Sequence, residues 1–137
     1  MALTLVASGI AYHYQQQSSD LQEKIDREFT SQIGYLQHQL ERSHADSITE
    51  NLYTLQNHAS KANAFSRLTS YYINQPQINA LTGLLESFFA NYTAENRSMT
   101  DVQLQQFIAD LEQIGREPDN FEAIEKVKLL LVNIDSK

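Results

Sequence analysis

Hydrophobic residues recur every three or four positions through the first half of the chain. Spacings of three and four place these side chains on one face of a helix. No proline interrupts the stretch, and it ends before Pro76, because the residue before a proline avoids the α conformation. The sequence therefore predicts one very long helix, running from about Asp20 to Asn74. Its apolar positions are Leu21, Ile25, Phe29, Ile33, Leu36, Leu40, Ile48, Leu52, Leu55, Ala59, Ala62, Phe65, Leu68 and Tyr72.

These apolar positions form a stripe along the predicted helix, and part of the stripe has the spacing of a coiled coil. From Ile48 to Ala62 the apolar residues follow one another in steps of four and three, as a heptad repeat does. The stripe skips eight residues between Leu40 and Ile48, through His44, which is a stutter that would locally unwind a supercoil. A helix of this length cannot bury its stripe alone and needs either later helices of the chain or a second copy of itself. We expect a homodimer along this seam. The seam consists of Ile48, Leu52, Leu55, Ala59 and Ala62.

Shorter helices are predicted in the second half of the chain. One is strongly apolar and runs from Ile78 to Tyr92. Another opens with the capping box Thr100-Asp-Val-Gln103 and closes at Gly115. A last helix would start with Asp119 as its N-cap, although residues 127–134 also fit a buried strand. Helix is preferred because no partner strand is visible, and the predicted fold is an all-α, elongated bundle of about four helices with a very long first helix.

The chain begins with an uncharged apolar segment, residues 2–12. One interpretation is a helix start buried in a dimer or bundle. The other is the outer end of a transmembrane helix, with Tyr12 and Tyr14 at the membrane interface and a glutamine-rich exit into water. The sequence thus divides into an apolar segment, 1–14, which could be the end of a transmembrane helix, and a helical sensor or interaction domain, 15–137.

The composition of the chain disfavours several classes of function. The 137 residues suit one domain, and the net charge of −7 disfavours contact with phosphate backbones, so no nucleic-acid partner is expected. There is no cysteine, which excludes disulfides and thiolate metal sites. No two of the four histidines are spaced four apart, and no nucleophile or phosphate-binding motif is present. We therefore expect no metal, no cofactor and no enzymatic activity.

One cluster has the residue types of a ligand pocket. It combines a cation, two aromatic rings and an amide near a predicted helix end, a mixture suited to a small molecule bound between helices. The alternative is ordinary packing, with the polar tips of these side chains in water. The candidate ligand-binding residues are Arg67, Tyr71, Tyr72 and Asn74.

The order of these features resembles a known class of proteins. An apolar start, a glutamine-rich exit and a long helix lead through residues 55–69 to the segment Tyr72-Ile-Asn-Gln-Pro-Gln-Ile78. Together they resemble the extracytoplasmic sensor regions of bacterial transmembrane receptors, namely histidine kinases, chemoreceptors and diguanylate cyclases. The resemblance implies a periplasmic domain, anchored in the inner membrane, that senses a small molecule or a protein and signals by helix displacement. The alternative is a structural or adaptor protein within a larger assembly.

Overall fold

The computed structural model describes residues 2–92 and 98–135, in which all regular secondary structure is helical. Within these ranges there are six α-helices, one short 3-10 helix and no strand. Residues 127–134 are helical, so the alternative strand is excluded. The elements are α1 (Ala2–Glu41), the 3-10 helix (Ile48–Asn51), α2 (Leu52–Ser66), α3 (Tyr71–Asn74), α4 (Gln77–Ala90), α5 (Asp101–Arg116) and α6 (Phe121–Asp135).

The prediction of one helix from Asp20 to Asn74 is wrong. Helix α1 ends at Glu41, inside the eight-residue step of the apolar stripe, and α2 begins only at Leu52. Serine hydroxyls compete for backbone groups here, since the Ser47 hydroxyl accepts a hydrogen bond from the His44 amide at 2.9 Å. The break lets α2 fold back along α1, so that most of the stripe is buried within one chain, while Leu21 and Leu68 stay exposed.

Five helices form a closed ring around one core. Helix α1 packs against α2 and α5, α2 against α4, α4 against α6, and α6 against α5. The aromatic rings of Phe88 and Phe89 on α4 meet Phe107 on α5 across the centre, with ring centroids 6.5 and 6.3 Å apart. The fold is therefore an all-α bundle with a long first helix, but with more helices than the four that the sequence predicts.

The caps of the last two helices differ in part from the prediction. The capping box of α5 is confirmed: the Gln103 amide donates to the Thr100 hydroxyl, and the Gln103 side chain accepts from the Thr100 amide. Gly115 does not end α5, which continues to Arg116. The N-cap of α6 is Asn120 rather than Asp119, because the Asn120 side chain accepts from the Ala123 amide at 3.0 Å.

Helix α1 has two halves with different surroundings. Phe29, Ile33, Leu36 and Leu40 are completely buried against the bundle. Every side chain from Ile10 to Leu21 is exposed, and the four large apolar ones are each more than half exposed: Ile10, Tyr12, Tyr14 and Leu21. Residues 10–21 of α1 thus extend beyond the bundle as an uncovered stretch of helix, which we call the stalk.

Candidate functional site

The predicted dimer seam lies inside the chain's own core. Leu55, Ala59 and Ala62 have no exposed surface, Ile48 has almost none, and Leu52 packs against the same core. Helix α2 carries most of them, and it lies between α1 and α4. A second copy could reach these residues only by displacing a neighbouring helix. The homodimer stays a prediction, but another surface is needed to form it.

The four candidate ligand-binding residues do not surround a common cavity among the clefts described. The guanidinium of Arg67 donates to the side chain of Asn79 on α4 at 2.9 Å. Tyr71 is half-buried against the core next to α1, and burial, with Asp26 and Asp119 nearby, raises the pKa of its phenol. Tyr72 is half-buried and Asn74 is exposed. Ligand binding by this set stays a prediction.

A polar clamp joins α1 to the junction between α2 and α3, at the point where the stalk leaves the bundle. The Asp26 carboxylate accepts hydrogen bonds from the Ser70 amide at 2.8 Å and from the Ser70 hydroxyl at 2.6 Å. The Gln22 side chain donates both to Asp26 and to the Leu68 carbonyl, at 3.0 and 2.9 Å. We call these four residues the exit clamp. Bonds to a charged acceptor are stronger than neutral ones, so the clamp ties any movement of α3 to α1.

The interface between α2 and α4 is bridged by a chain of polar side chains. The Asn63 side chain donates to Glu86 at 2.6 Å and accepts from Thr82 at 3.1 Å. Asn79 donates to the hydroxyl of Ser66 at 2.9 Å. Ser66 and Thr82 are completely buried, so these bonds hold α4 at a defined position along α2. Ser70 of the exit clamp lies four residues after Ser66, which belongs to this chain of bonds.

A second polar contact links the middle of α2 to α1. His58 lies 2.7 Å from the side-chain oxygen of the buried Gln32, and its ring packs against Tyr35 with centroids 5.1 Å apart. Gln32 in turn donates to Glu28 at 2.6 Å. Partial burial, and secondarily the charge of Lys61, lowers the pKa of His58. Because the Gln32 atom in this contact is an oxygen, which only accepts, the Nδ1 of His58 is the donor.

An open cleft lies at the opposite end of the bundle from the exit clamp. It has a volume of about 660 Å³ and is bounded by the turn after α1 and the start of α5. From Asp26 to Glu41, the last residue of α1, the helix rises by about 22 Å, and His44 lies in the turn beyond it. Both polar and apolar side chains line the cleft: His44, Ala45, Asp46, Ser98, Met99, Thr100 and Asp101.

The described residues contain neither a metal-binding cluster nor a membrane-spanning helix. No cluster of three or more His, Asp or Glu side chains in residues 2–92 and 98–135 is placed to hold a metal ion. Within the same residues, no helix combines the length and the apolar character needed to cross a membrane. Within the apolar segment 1–14, the side chains of residues 1–9 lie outside the described part, and the membrane-end interpretation stays a prediction.

Comparison with known proteins found no match. No family model matches the chain, no curated protein is similar to it, and no solved structure matches its fold.

Proposed function

We propose that this chain is the extracytoplasmic sensor region of a membrane-anchored bacterial signalling protein. The observation that carries the proposal is the division of α1 into a buried half and the stalk, with the exit clamp between them. The exposed side chains of the stalk have no cover within the described part of the chain, and a stalk of this kind suits a connection to an anchor. The domain would then lie in the periplasm and the anchor in the inner membrane.

Displacement of helices would carry the signal. The polar chain along α2 and α4 ends at the α2–α3 junction, and the exit clamp connects that junction to α1 at Asp26. A shift of α4 against α2 would therefore pull on α1 just where it leaves the bundle. Packed helices have discrete arrangements, so a small shift can be passed on as a step of the whole stalk.

The open cleft is the place where we expect a ligand. It lies between the turn that follows α1 and the first turn of α5, so an occupant would contact two helices of the ring. Asp46 and Asp101 give the lining an acidic side, while Met99 and Ala45 supply apolar surface. A ligand that closed the cleft would move α5 relative to α1.

A thermal-shift screen tests the sensor proposal. The purified chain is heated with each of the twenty amino acids, with short mono- and dicarboxylates, with common sugars and with polyamines. A ligand present at a hundred times its Kd adds about 2.7 kcal/mol to the free energy of unfolding, which raises Tm by several degrees. The Asp101→Asn variant should lose the shift, whereas Glu112→Gln on the same helix should keep it.

An adaptor role is the second candidate, favoured by exposed apolar side chains near the exit clamp. Leu68 is 56% exposed and Ile73 is 83% exposed, which suits a docking surface. An adaptor would show no thermal shift with any compound of the screen and would co-purify with a protein partner. Those two results together would contradict the sensor proposal and favour the adaptor role.

A further inference from the structure

Hydrogen bonds between side chains of different helices are concentrated in one part of the bundle. Gln32 joins α1 to α2 through His58, the exit clamp joins α1 to the α2–α3 junction, and Asn63 joins α2 to α4 through Thr82. Separation of these helices would expose apolar surface and would also break these bonds. We call this part the block: residues 22–41 of α1, together with α2, α3 and α4.

Helices α5 and α6, which we call the hairpin, hold their buried charge within themselves. Asp110 on α5 is buried, and both of its carboxylate oxygens accept hydrogen bonds at 3.0 Å from Gln106 of the same helix. On α6, Glu122 most strongly and Asp110 to a smaller extent raise the pKa of Lys126. The loop between the two helices is short, residues 117–120. In the described part of the chain, no side chain of α5 forms a hydrogen bond to another helix.

The hairpin packs on the block mainly through apolar side chains. Phe107 on α5 meets the aromatic pair of α4, and Gly115 lies against α1, where an added Cβ would be 3.9 Å from Cγ2 of Ile33. An exposed hydrogen bond at 2.9 Å joins the two parts, from the ammonium of Lys128 on α6 to the side chain of Gln77 on α4. Separation of the hairpin would therefore break far fewer buried polar contacts than separation of the block.

The open cleft lies on the boundary between the two parts. His44 and Asp46 belong to the turn that follows α1, whereas Thr100 and Asp101 begin the hairpin. Departure of the hairpin would therefore widen the cleft. It would also release the start of α4, because Gln77 is the first residue of that helix and follows closely on α3 and the exit clamp.

We propose that the hairpin leaves the block and returns to it as one piece, and that this movement opens and closes the cleft. Side-chain hydrogen bonds hold the block together, and apolar contacts hold the hairpin to it. An occupant of the cleft would contact both parts and favour the closed arrangement, a step that rests on the proposed function. The separate opening of the hairpin does not depend on that function.

Hydrogen exchange in low concentrations of urea tests this division, because it measures the free energy at which each helix opens. The amides of α5 and α6 should share one opening free energy and one urea dependence. Both values should be smaller than those of the slowest amides in α2 and α4, so that the hairpin exchanges at least about ten times faster. One common opening for all five helices would overturn the proposal, as would different openings for α5 and α6.

Two substitutions show whether the block stays intact while the hairpin is open. Thr82→Val replaces the hydroxyl that bonds to Asn63 inside the block by a methyl group of similar size. Because this bond persists when the hairpin alone opens, exchange should become about two to ten times faster in the block and stay unchanged in the hairpin. Gln77→Ala removes the acceptor of Lys128, a bond that both openings break, so it should accelerate both parts alike.

Equal acceleration of the hairpin by Thr82→Val would overturn the proposal, because the block would then come apart together with the hairpin. Acceleration of the block alone by Gln77→Ala would overturn it as well. Circular dichroism first establishes that both variants have native helix content. No ligand or membrane is present in these experiments, so their outcome is independent of the thermal-shift screen.

Discussion

Removal of the Asp26 carboxylate should loosen the exit clamp. In Asp26→Ala the Ser70 amide and hydroxyl lose their acceptor, and Gln22 loses one of its two partners. A hydrogen bond to a charged group contributes about 1.5–3 kcal/mol net. Because Asp26 is only half-buried, water can replace part of what is lost. We therefore expect the free energy of unfolding to fall by about 2 kcal/mol.

Urea unfolding followed by circular dichroism measures this loss, and amide exchange at Ser70 locates it. Asp20→Ala is the matched control, since it removes the same side chain from an exposed position of the same helix. The control should change stability by less than about 0.5 kcal/mol. If Asp26→Ala were as stable as Asp20→Ala, or if Ser70 exchanged no faster, α1 would not be held by this clamp.

Three further substitutions test the core, the caps and the pH dependence. Phe107→Ala removes a fully buried ring with two aromatic neighbours and should cost about 3–5 kcal/mol in urea unfolding, whereas Val102→Ala, exposed on the same helix, should cost almost nothing. Asn120→Ala should cost about 1 kcal/mol and Asp119→Ala less, if Asn120 is the N-cap of α6. The pKa of His58 is below its ordinary value of 6.5, so the unfolded chain binds more protons than the folded one near and below that pH. The free energy of unfolding should therefore fall as the pH drops below about 6.5. Urea titrations from pH 8 to pH 5 should show a shallower fall in the variant His58→Gln.

Periodicity predicted which faces are buried, but not what covers them. The stripe from Ile48 to Ala62 is indeed buried, yet its cover comes from the same chain and not from a second copy. Heptad spacing is the same whether a helix pairs with its own neighbour or with another molecule. The all-α class, the end of α3 before Pro76 and the capping box of α5 depend on local chemistry, and each is confirmed.

The break after Glu41 and the exit clamp depend on contacts between distant residues. An apolar stripe with a four-residue stutter is compatible with a continuous helix, so spacing alone did not indicate that the chain turns back. The partners Asp26 and Ser70 are 44 residues apart in the sequence, and neither belongs to a recognisable motif. The one available signal was the eight-residue gap around His44, where a turn becomes possible.

Amide hydrogen exchange along α1 tests the central claim, that this helix is held by the bundle in one half and stands free of it in the other. At low protein concentration, amides from Phe29 to Leu40 should be strongly protected, and those from Tyr12 to Leu21 should exchange quickly. Equal protection of both halves at the lowest concentration, or rapid exchange from Phe29 to Leu40, would contradict the account.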